Sequence, residues 1–145
     1  MNKDTREEYL EAIYKLYSNS ESIKTGEIAK ALEVSPPTVT EVLPLLEGEG
    51  YLEYKPYYGV KLTKKGIEEG KRLVRTHRVL EVFLDKYFSL DKSKIHDKAC
   101  QMEHIFDMDM INLICKRMGA PEVCPHGKKI PSCDIEKCPV GDDEN

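Results

Sequence analysis

A serine–proline pair, Ser35-Pro36, most constrains what this chain can fold into, because it marks where a helix must start. Serine is a favoured N-cap residue, and proline is favoured at the first helical position. The preceding segment, which Thr25 can cap, is short and has apolar residues at helical spacing. The following segment has the same character and stops at Gly48 and Gly50. Two helices joined so closely are typical of a helix-turn-helix.

The flanking segments complete the pattern of a winged helix-turn-helix. Apolar spacing predicts a first helix over residues 4–18, and the polar residues 19–22 indicate a loop. After the third helix, residues 51–55 alternate as a strand, residues 56–59 form a turn, and residues 60–63 return as a second strand. Three helices followed by a hairpin have the element order of a winged DNA-reading domain.

The second half of the chain is predicted to be helical. A helix with an apolar stripe along one face is predicted to extend to Phe88. A second helix spans about residues 93–106 with Asp91 as its N-cap, and a third begins at Asp107 or Asp109. The third helix is too apolar for a solvated surface, which leaves a core face, a dimer face, or both. The expected fold class is mainly α, with a winged helix-turn-helix in 1–65, a helical domain in 66–121 and a Cys/His-containing tail in 122–145.

Composition narrows the classes of function. The net charge of −4 excludes a globally basic coat for nucleic acid but allows a local basic face. No apolar run approaches the roughly 18 residues of a membrane span, and the start lacks a signal segment, so we expect a cytoplasmic protein without a membrane partner. In that compartment, five cysteines favour metal ligands or buried thiols over disulfides.

Three predicted helices carry donor side chains at helical spacing. His96, Cys100, Glu103 and His104 fall at i, i+4, i+7 and i+8. Thiolate, carboxylate and imidazole together suit Fe(II), Mn(II), Co(II) or Ni(II). Each piece alone has an ordinary reading as a core histidine or a solvated acidic face. Several unpaired carboxylates on inward-facing stripes would be costly to bury, which favours a metal site. The other two pairs are His77 with Glu81, and Glu8 with Glu11.

The run from His77 to Glu81, followed by His96-Asp97-x-Ala99-Cys100-x-x-Glu103-His104, resembles the diphtheria toxin repressor family of metal-dependent transcription regulators. The resemblance covers about residues 5–131 and includes the iron-dependent and manganese-transport regulators. It implies a metal-dependent repressor of metal-homeostasis genes that forms a homodimer on a two-fold symmetric operator in double-stranded DNA. The implied primary ligands are Glu8, Cys100, Glu103 and His104; the implied ancillary ligands are His77, Glu81 and His96; Glu11 matches an acidic position of the manganese regulators' paired-metal site.

The resemblance leaves two metals open. Cys100 stands where the iron regulators have cysteine, and Glu8 stands where the manganese regulators have aspartate. The thiolate favours Fe(II), with Mn(II) as the alternative. The implied switch is a divalent ion that offsets repulsion between Glu8 and Glu103 and fixes the first helix to the ligand-bearing helix.

The resemblance also implies DNA contacts at the start of the third helix. Ser35, Pro37 and Thr38 match contact positions of the family, and Glu41 stands where the family often has glutamine. Pro44 and Leu45 depart from the family, the first because proline is unfavourable inside a helix. Further phosphate contacts are expected from the wing, although the same residues would suit an ordinary solvated hairpin; they are Lys55, Tyr57, Tyr58 and Lys61.

The tail offers a second donor set. Cys124, His126, Cys133 and Cys138 make a Cys₃His set of the kind that holds structural zinc. The alternative is a conformational turn built on the prolines, because the spacings do not form paired C-x-x-C knuckles. Two other functions stay open. A metal-dependent enzyme could use Glu103 or Glu11 as a base, and a metal-binding structural protein could have lost DNA contact.

Overall fold

The computed structural model describes residues 1–17 and 22–132, and the chain divides into two compact units, Met1–Lys71 and Arg72–Asn145. Within the described residues, none of the helices has the length and apolar character needed to cross a membrane. The elements are α1 Lys3–Tyr17, α2 Thr25–Leu32, α3 Pro36–Gly48, β1 Leu52–Lys55, β2 Gly59–Leu62, α4 Lys64–Phe88, α5 Lys92–Met102 and α6 Met108–Arg117.

The first unit confirms the winged helix-turn-helix. Helices α1, α2 and α3 pack around fully buried aliphatic side chains, among them Leu10, Ile28 and Leu43. The two strands pair antiparallel in a register that joins Leu52 to Leu62. A further bridge from Ile23 to β2 ties the hairpin to the segment that precedes α2. The hairpin is thereby fixed against the helices.

Helix α3 begins as the sequence predicts. Ser35 is the N-cap, and its Oγ accepts from the backbone N–H of Thr38 at 3.4 Å. Pro44 lies inside the helix, which continues through it to Gly48. Its ring is on the exposed side, where it disturbs no core packing.

The predicted cap of α2 is wrong by one residue. The N-cap is Lys24, and Thr25 is the first helical residue. The physical reason is Glu27, whose carboxylate accepts from the Lys24 backbone N–H at 2.8 Å. The Glu27 carboxylate, in the first turn of the helix, thus pairs with a backbone N–H at the helix start, and no threonine cap is needed. The expected loop at residues 19–22 lies outside the described residues except for Ser22.

The tip of the wing requires glycine at one position. Gly59 has φ of +109°, and a Cβ built there would lie 2.5 Å from the Ile23 carbonyl oxygen. Any other residue would clash with backbone while adopting a disfavoured conformation. The neighbouring Tyr57 also has a positive φ, of 73°, and its side chain is fully exposed.

The second unit has its own apolar core, formed where α5 and α6 pack on the later turns of α4. Asp107 caps α6, because its Oδ1 accepts from the Met110 N–H at 2.8 Å. Helix α5 is shorter than predicted, since it ends at Met102 rather than near Phe106. The buried cluster comprises Val79, Leu80, Leu84, Ile95, Ala99, Ile111, Cys115, Met118 and Ile130.

A loop after α6 folds back onto α4 through two arginines. Buried Arg75 donates to the Pro131 carbonyl at 2.9 Å and to Asn112 Oδ1 at 3.0 Å. Arg78 donates to the Lys129 carbonyl. These bonds hold the loop over residues 122–131 against the helix that bears His77.

Candidate metal centre

His77 lies at the centre of a buried polar cluster. Its Nε2 is 3.0 Å from Glu81 Oε1, one turn further along α4, and its Nδ1 is 2.7 Å from Glu103 Oε2. All three side chains are at most 3% exposed. With an acceptor at each ring nitrogen, the imidazole satisfies both only by carrying two protons. The same three side chains, two carboxylates and an imidazole, would be available as ligands to a divalent ion.

Helix α5 brings a thiol and a second imidazole to the same point. Cys100 Sγ lies 3.6 Å from His96 Nε2 and 3.9 Å from His77 Nδ1. Ligand atoms of His77, His96 and Cys100 all lie within 4.8 Å of one another. Nitrogen and sulfur donors at these separations fit one divalent transition ion with small side-chain adjustments.

Glu103 follows the predicted spacing, whereas His104 does not lie on the helix. Glu103 is the C-cap of α5, and its N–H still donates to the Ala99 carbonyl, so the side chain keeps the helical direction. His104 falls in the turn beyond, where its Nε2 is 3.8 Å from Glu103 Oε1. The helical spacing that relates His96, Cys100 and Glu103 therefore does not extend to His104.

Glu81 is a buried carboxylate whose pKa depends on three nearby histidines. Burial acts to raise its pKa, but the hydrogen bond and charge of His77, with the charges of His126 and His96, outweigh burial and lower the pKa below 4.5. The carboxylate is therefore held in its ionised form, which is the form that binds a metal.

Two residues of the tail, Cys124 and His126, lie beside Glu81. The Cys₃His set predicted from the sequence did not include this carboxylate. His126 Nδ1 lies 2.6 Å from Glu81 Oε2, and ligand atoms of Glu81, Cys124 and His126 all lie within 4.8 Å of one another. The other two predicted tail ligands, Cys133 and Cys138, lie outside the described residues. The C-x-H spacing is visible in the sequence, but nothing in the sequence indicates that these two side chains lie beside Glu81.

The two acidic candidates on α1 differ in environment. Glu8 is exposed, whereas Glu11 is buried and lies 3.0 Å from Lys15 Nζ. Glu7, which the sequence did not single out, is also buried and lies 3.5 Å from Lys3 Nζ. The lysine one turn away from each carboxylate thus offsets part of the free-energy cost of burying its charge.

The expected DNA-contact residues all lie on the surface of the first unit. Ser35, Pro37, Thr38 and Glu41 are exposed on the first turns of α3, and the Ser35 and Thr38 hydroxyls are 2.8 Å apart. On the wing, Tyr57 and Tyr58 are 100% and 75% exposed. Lys55 and Lys61 are exposed on the two strands, so both groups are available to a partner.

Helix α6 presents an apolar face beyond the buried cluster. Leu113 and Met110 are about half exposed. A groove of about 230 Å³ runs beside them, and its lining is almost entirely apolar. It is formed by Phe83, Tyr87, Leu113, Ile114, Arg117 and Met118. Such a face is typical of a surface that a second chain covers.

Comparison with known proteins agrees with this geometry. Residues 1–60 match the iron dependent repressor N-terminal DNA binding domain, and residues 63–132 match the iron dependent repressor metal binding and dimerisation domain. An HTH-type transcriptional regulator of Methanocaldococcus jannaschii is 39% identical over 106 residues, covering 72% of this chain and 85% of that protein. The HTH-type transcriptional regulator MntR of Lysinibacillus sphaericus is 35% identical, covering 86% of this chain and 89% of that protein.

Solved structures give the same result. The structure of the manganese regulator SloR aligns with a TM-score of 0.77 and 35% identity over 88% of this chain. The alignment covers 59% of SloR, so this chain spans less than two thirds of that protein. The matched proteins named here are regulators, which leaves the enzyme alternative without support.

Proposed function

Because the chain belongs to the iron-dependent repressor family, whose DNA-binding and dimerisation domains it carries, we propose that it is a transcriptional repressor activated by a divalent metal ion. The observation that carries this proposal is the preformed donor cluster around His77. Five donor side chains, three of them buried, converge where a purely structural core would place apolar groups. They are His77, Glu81, His96, Cys100 and Glu103.

The donor chemistry supports a ligand assignment. Cys100, Glu103 and His104, with Glu8, are proposed as the primary set; His77, Glu81 and His96 are proposed as the ancillary set, with Glu11 as a further acidic ligand. A thiolate at Cys100 favours Fe(II) over Mn(II), because Mn(II) prefers oxygen donors. The carboxylates supply negative charge that a divalent ion offsets.

Regulation follows from linkage between metal and DNA. His77 lies between Glu81 and Glu103. A divalent ion bound here would be held by His77, Glu81 and Glu103 and would supply positive charge beside the two carboxylates. The metal can favour DNA binding only to the extent that it binds the DNA-competent state more tightly. By reciprocity, DNA must then raise the affinity for metal by the same factor.

The proposed DNA complex is a homodimer on a two-fold symmetric operator, acting in the cytoplasm where the DNA lies. The exposed hydroxyls of Ser35 and Thr38 suit base or phosphate contacts in the major groove. Tyr57, Tyr58 and Lys61 on the wing suit the adjacent backbone. A dimer matches a palindromic site because each copy reads one half.

The test is DNA binding measured by fluorescence anisotropy with the chain's own upstream DNA, titrated separately with Fe(II) and Mn(II) under anaerobic conditions. We expect metal to raise DNA affinity by at least about tenfold, as typical coupling energies imply. Glu8→Ala, Cys100→Ser and His104→Ala should each lower that gain. Cys115→Ala is the matched control, because Cys115 is a buried thiol of the apolar cluster.

One observation favours a second function. Leu45 is 51% exposed on α3, at a position where the resemblance implies a basic residue that contacts the DNA backbone. Pro44 beside it is also exposed. A metal-binding protein without DNA affinity would show metal binding with wild-type stoichiometry and no anisotropy change at any metal concentration. That result would refute the repressor and establish this alternative.

A further inference from the structure

Helix α3 has no positively charged side chain. Its residues, Pro36–Gly48, include no lysine or arginine, and its charged side chains are Glu41 and Glu47. Glu47 is occupied within the first unit, because its Oε2 accepts from the Tyr54 backbone N–H at 2.7 Å. Glu41 is therefore the charge that α3 presents to a partner, and it is negative. A helix of this kind cannot neutralise phosphates, so its contribution to DNA binding has to come from the bases.

Glu41 lies on the same helix face as two of the expected contact residues. It follows Pro37 by four residues and Thr38 by three, which are the separations that place side chains on one face. All three side chains are exposed. The rise of the helix puts Glu41 about 6 Å beyond Pro37 along the axis, roughly two base-pair steps of DNA. If Pro37 contacts a base pair in the major groove, Glu41 reaches one close by.

The Glu41 carboxylate is available to a base. Within the described part of the chain, no group forms a hydrogen bond or ion pair with it. The neighbouring hydroxyls differ in this respect. Thr40 Oγ1 donates to the Pro37 carbonyl at 2.9 Å, and the Ser35 and Thr38 hydroxyls are 2.8 Å apart. A partner can therefore pair with Glu41 without first breaking a contact of these residues.

We propose that Glu41 reads a cytosine in each half of the operator by accepting a hydrogen bond from the cytosine N4 amine. In the major groove, guanine and thymine present acceptors, whereas cytosine N4 and adenine N6 are donors. An ionised carboxylate only accepts hydrogen bonds, so guanine and thymine repel it. Adenine places the acceptor N7 beside its N6 donor, and a carboxylate cannot pair with N7. Cytosine has a donor without such a neighbour on its own edge.

The proposal deepens the function proposed above and rests on it, because it requires α3 to enter the major groove of an operator. It makes a sharp statement about one substitution. Glutamine has an amide donor beside its carbonyl acceptor, so it pairs with both N6 and N7 of adenine. Glu41→Gln should therefore change the preferred base from cytosine to adenine. A general gain or loss of DNA affinity is not what this readout predicts.

The experiment is selection from a library of duplex DNA with a randomised central segment, using the full chain with Mn(II) and, under anaerobic conditions, with Fe(II). We expect the wild type to enrich a two-fold symmetric site with cytosine at one position of each half. Glu41→Gln should enrich adenine at that position. In fluorescence anisotropy, the wild type should bind the cytosine duplex at least about tenfold more tightly than the adenine duplex, and Glu41→Gln should reverse this order.

Two further variants separate base readout from charge. Glu68→Gln is the matched control, because it removes a carboxylate from an exposed position on α4 within the same unit. It should enrich the wild-type sequence. Glu41→Ala removes the acceptor and should lose the preference for cytosine. Circular dichroism melts check folding; Glu41→Gln should melt as the wild type does, since glutamine and glutamate have similar helix propensities.

Failure of this inference and failure of the repressor are distinguishable. If Glu41→Gln enriches the wild-type sequence, the proposal is wrong and Glu41 is a solvated side chain. If Glu41→Gln and Glu41→Ala bind every duplex more tightly by the same factor, the carboxylate only repels phosphate, and the proposal is again wrong. In both cases, metal-dependent enrichment by the wild type leaves the repressor intact. If the wild type enriches no sequence with either metal, the repressor and the base readout are refuted together.

Discussion

Replacing His77 by leucine should strongly destabilise the metal-free protein. The substitution keeps a side chain of similar bulk but removes the donors to Glu81 at 3.0 Å and to Glu103 at 2.7 Å. Each charge-assisted hydrogen bond contributes about 1.5–3 kcal/mol to the free energy of unfolding, and breaking a buried pair costs about 3–5 kcal/mol. Glu81 retains His126 at 2.6 Å, so we expect a loss of about 3 kcal/mol.

The assay is urea unfolding with a chelator present, followed by circular dichroism. With a slope of about 2 kcal/mol/M, a loss of about 3 kcal/mol lowers the unfolding midpoint by about 1.5 M. The matched control is His126→Gln, which removes a partly exposed partner of the same carboxylate. That change should cost less than about 1 kcal/mol.

The pH dependence gives an independent check on the cause. Because the folded-state pKa of Glu81 lies below its ordinary value of 4.5, its ionised form stabilises the fold above that pH. The stabilisation is lost as the pH falls through the folded-state pKa. His77→Leu lacks the main donor, so the difference in stability between wild type and variant should narrow as the pH falls below 4.5. A loss below about 0.5 kcal/mol at neutral pH, or a gap that does not change with pH, would refute this account of His77.

Two further predictions concern the dimer face and α3. Leu113→Glu should convert the dimer to a monomer in sedimentation velocity, because it places a charge on the exposed apolar face of α6; Ile105→Glu, at a site 80% exposed after α5, should not. Pro44→Ala should raise the free energy of unfolding by about 1–3 kcal/mol in urea denaturation, because it restores a helical N–H at an exposed position; an unchanged or lower stability would show that α3 has adapted to proline.

The fold was predictable where local chemistry decides it. Ser35 caps α3 as the sequence indicated, and Asp107, one of two candidates with Asp109, caps α6. The wing follows from strand alternation broken by Gly59. The misses are also local. Glu27 replaced the expected cap at Thr25, because a carboxylate one turn into the helix can reach back to its start.

The donor cluster was only partly predictable, because spacing along a helix says nothing about which helices meet. The pairing of His77 with Glu81 follows from their separation of one turn, and it is confirmed at 3.0 Å. The contact of His77 with Glu103 depends on how α5 packs on α4, and that of Glu81 with His126 depends on a loop that folds back. His104 lies outside the helix because α5 ends at Met102. The periodicity of the sequence alone does not determine that boundary.

The anchors of the tail loop have a mechanical consequence. Arg75 and Arg78, which hold the loop, alternate along α4 with His77 and Glu81, so all four lie within about 9 Å of one another along the helix axis. The loop over residues 122–131 and the side chains of His77 and Glu81 are therefore attached to the same part of α4. A shift or bend of that part of the helix would move them together. The distances among Glu81, Cys124 and His126 should therefore change less than the position of this part of α4.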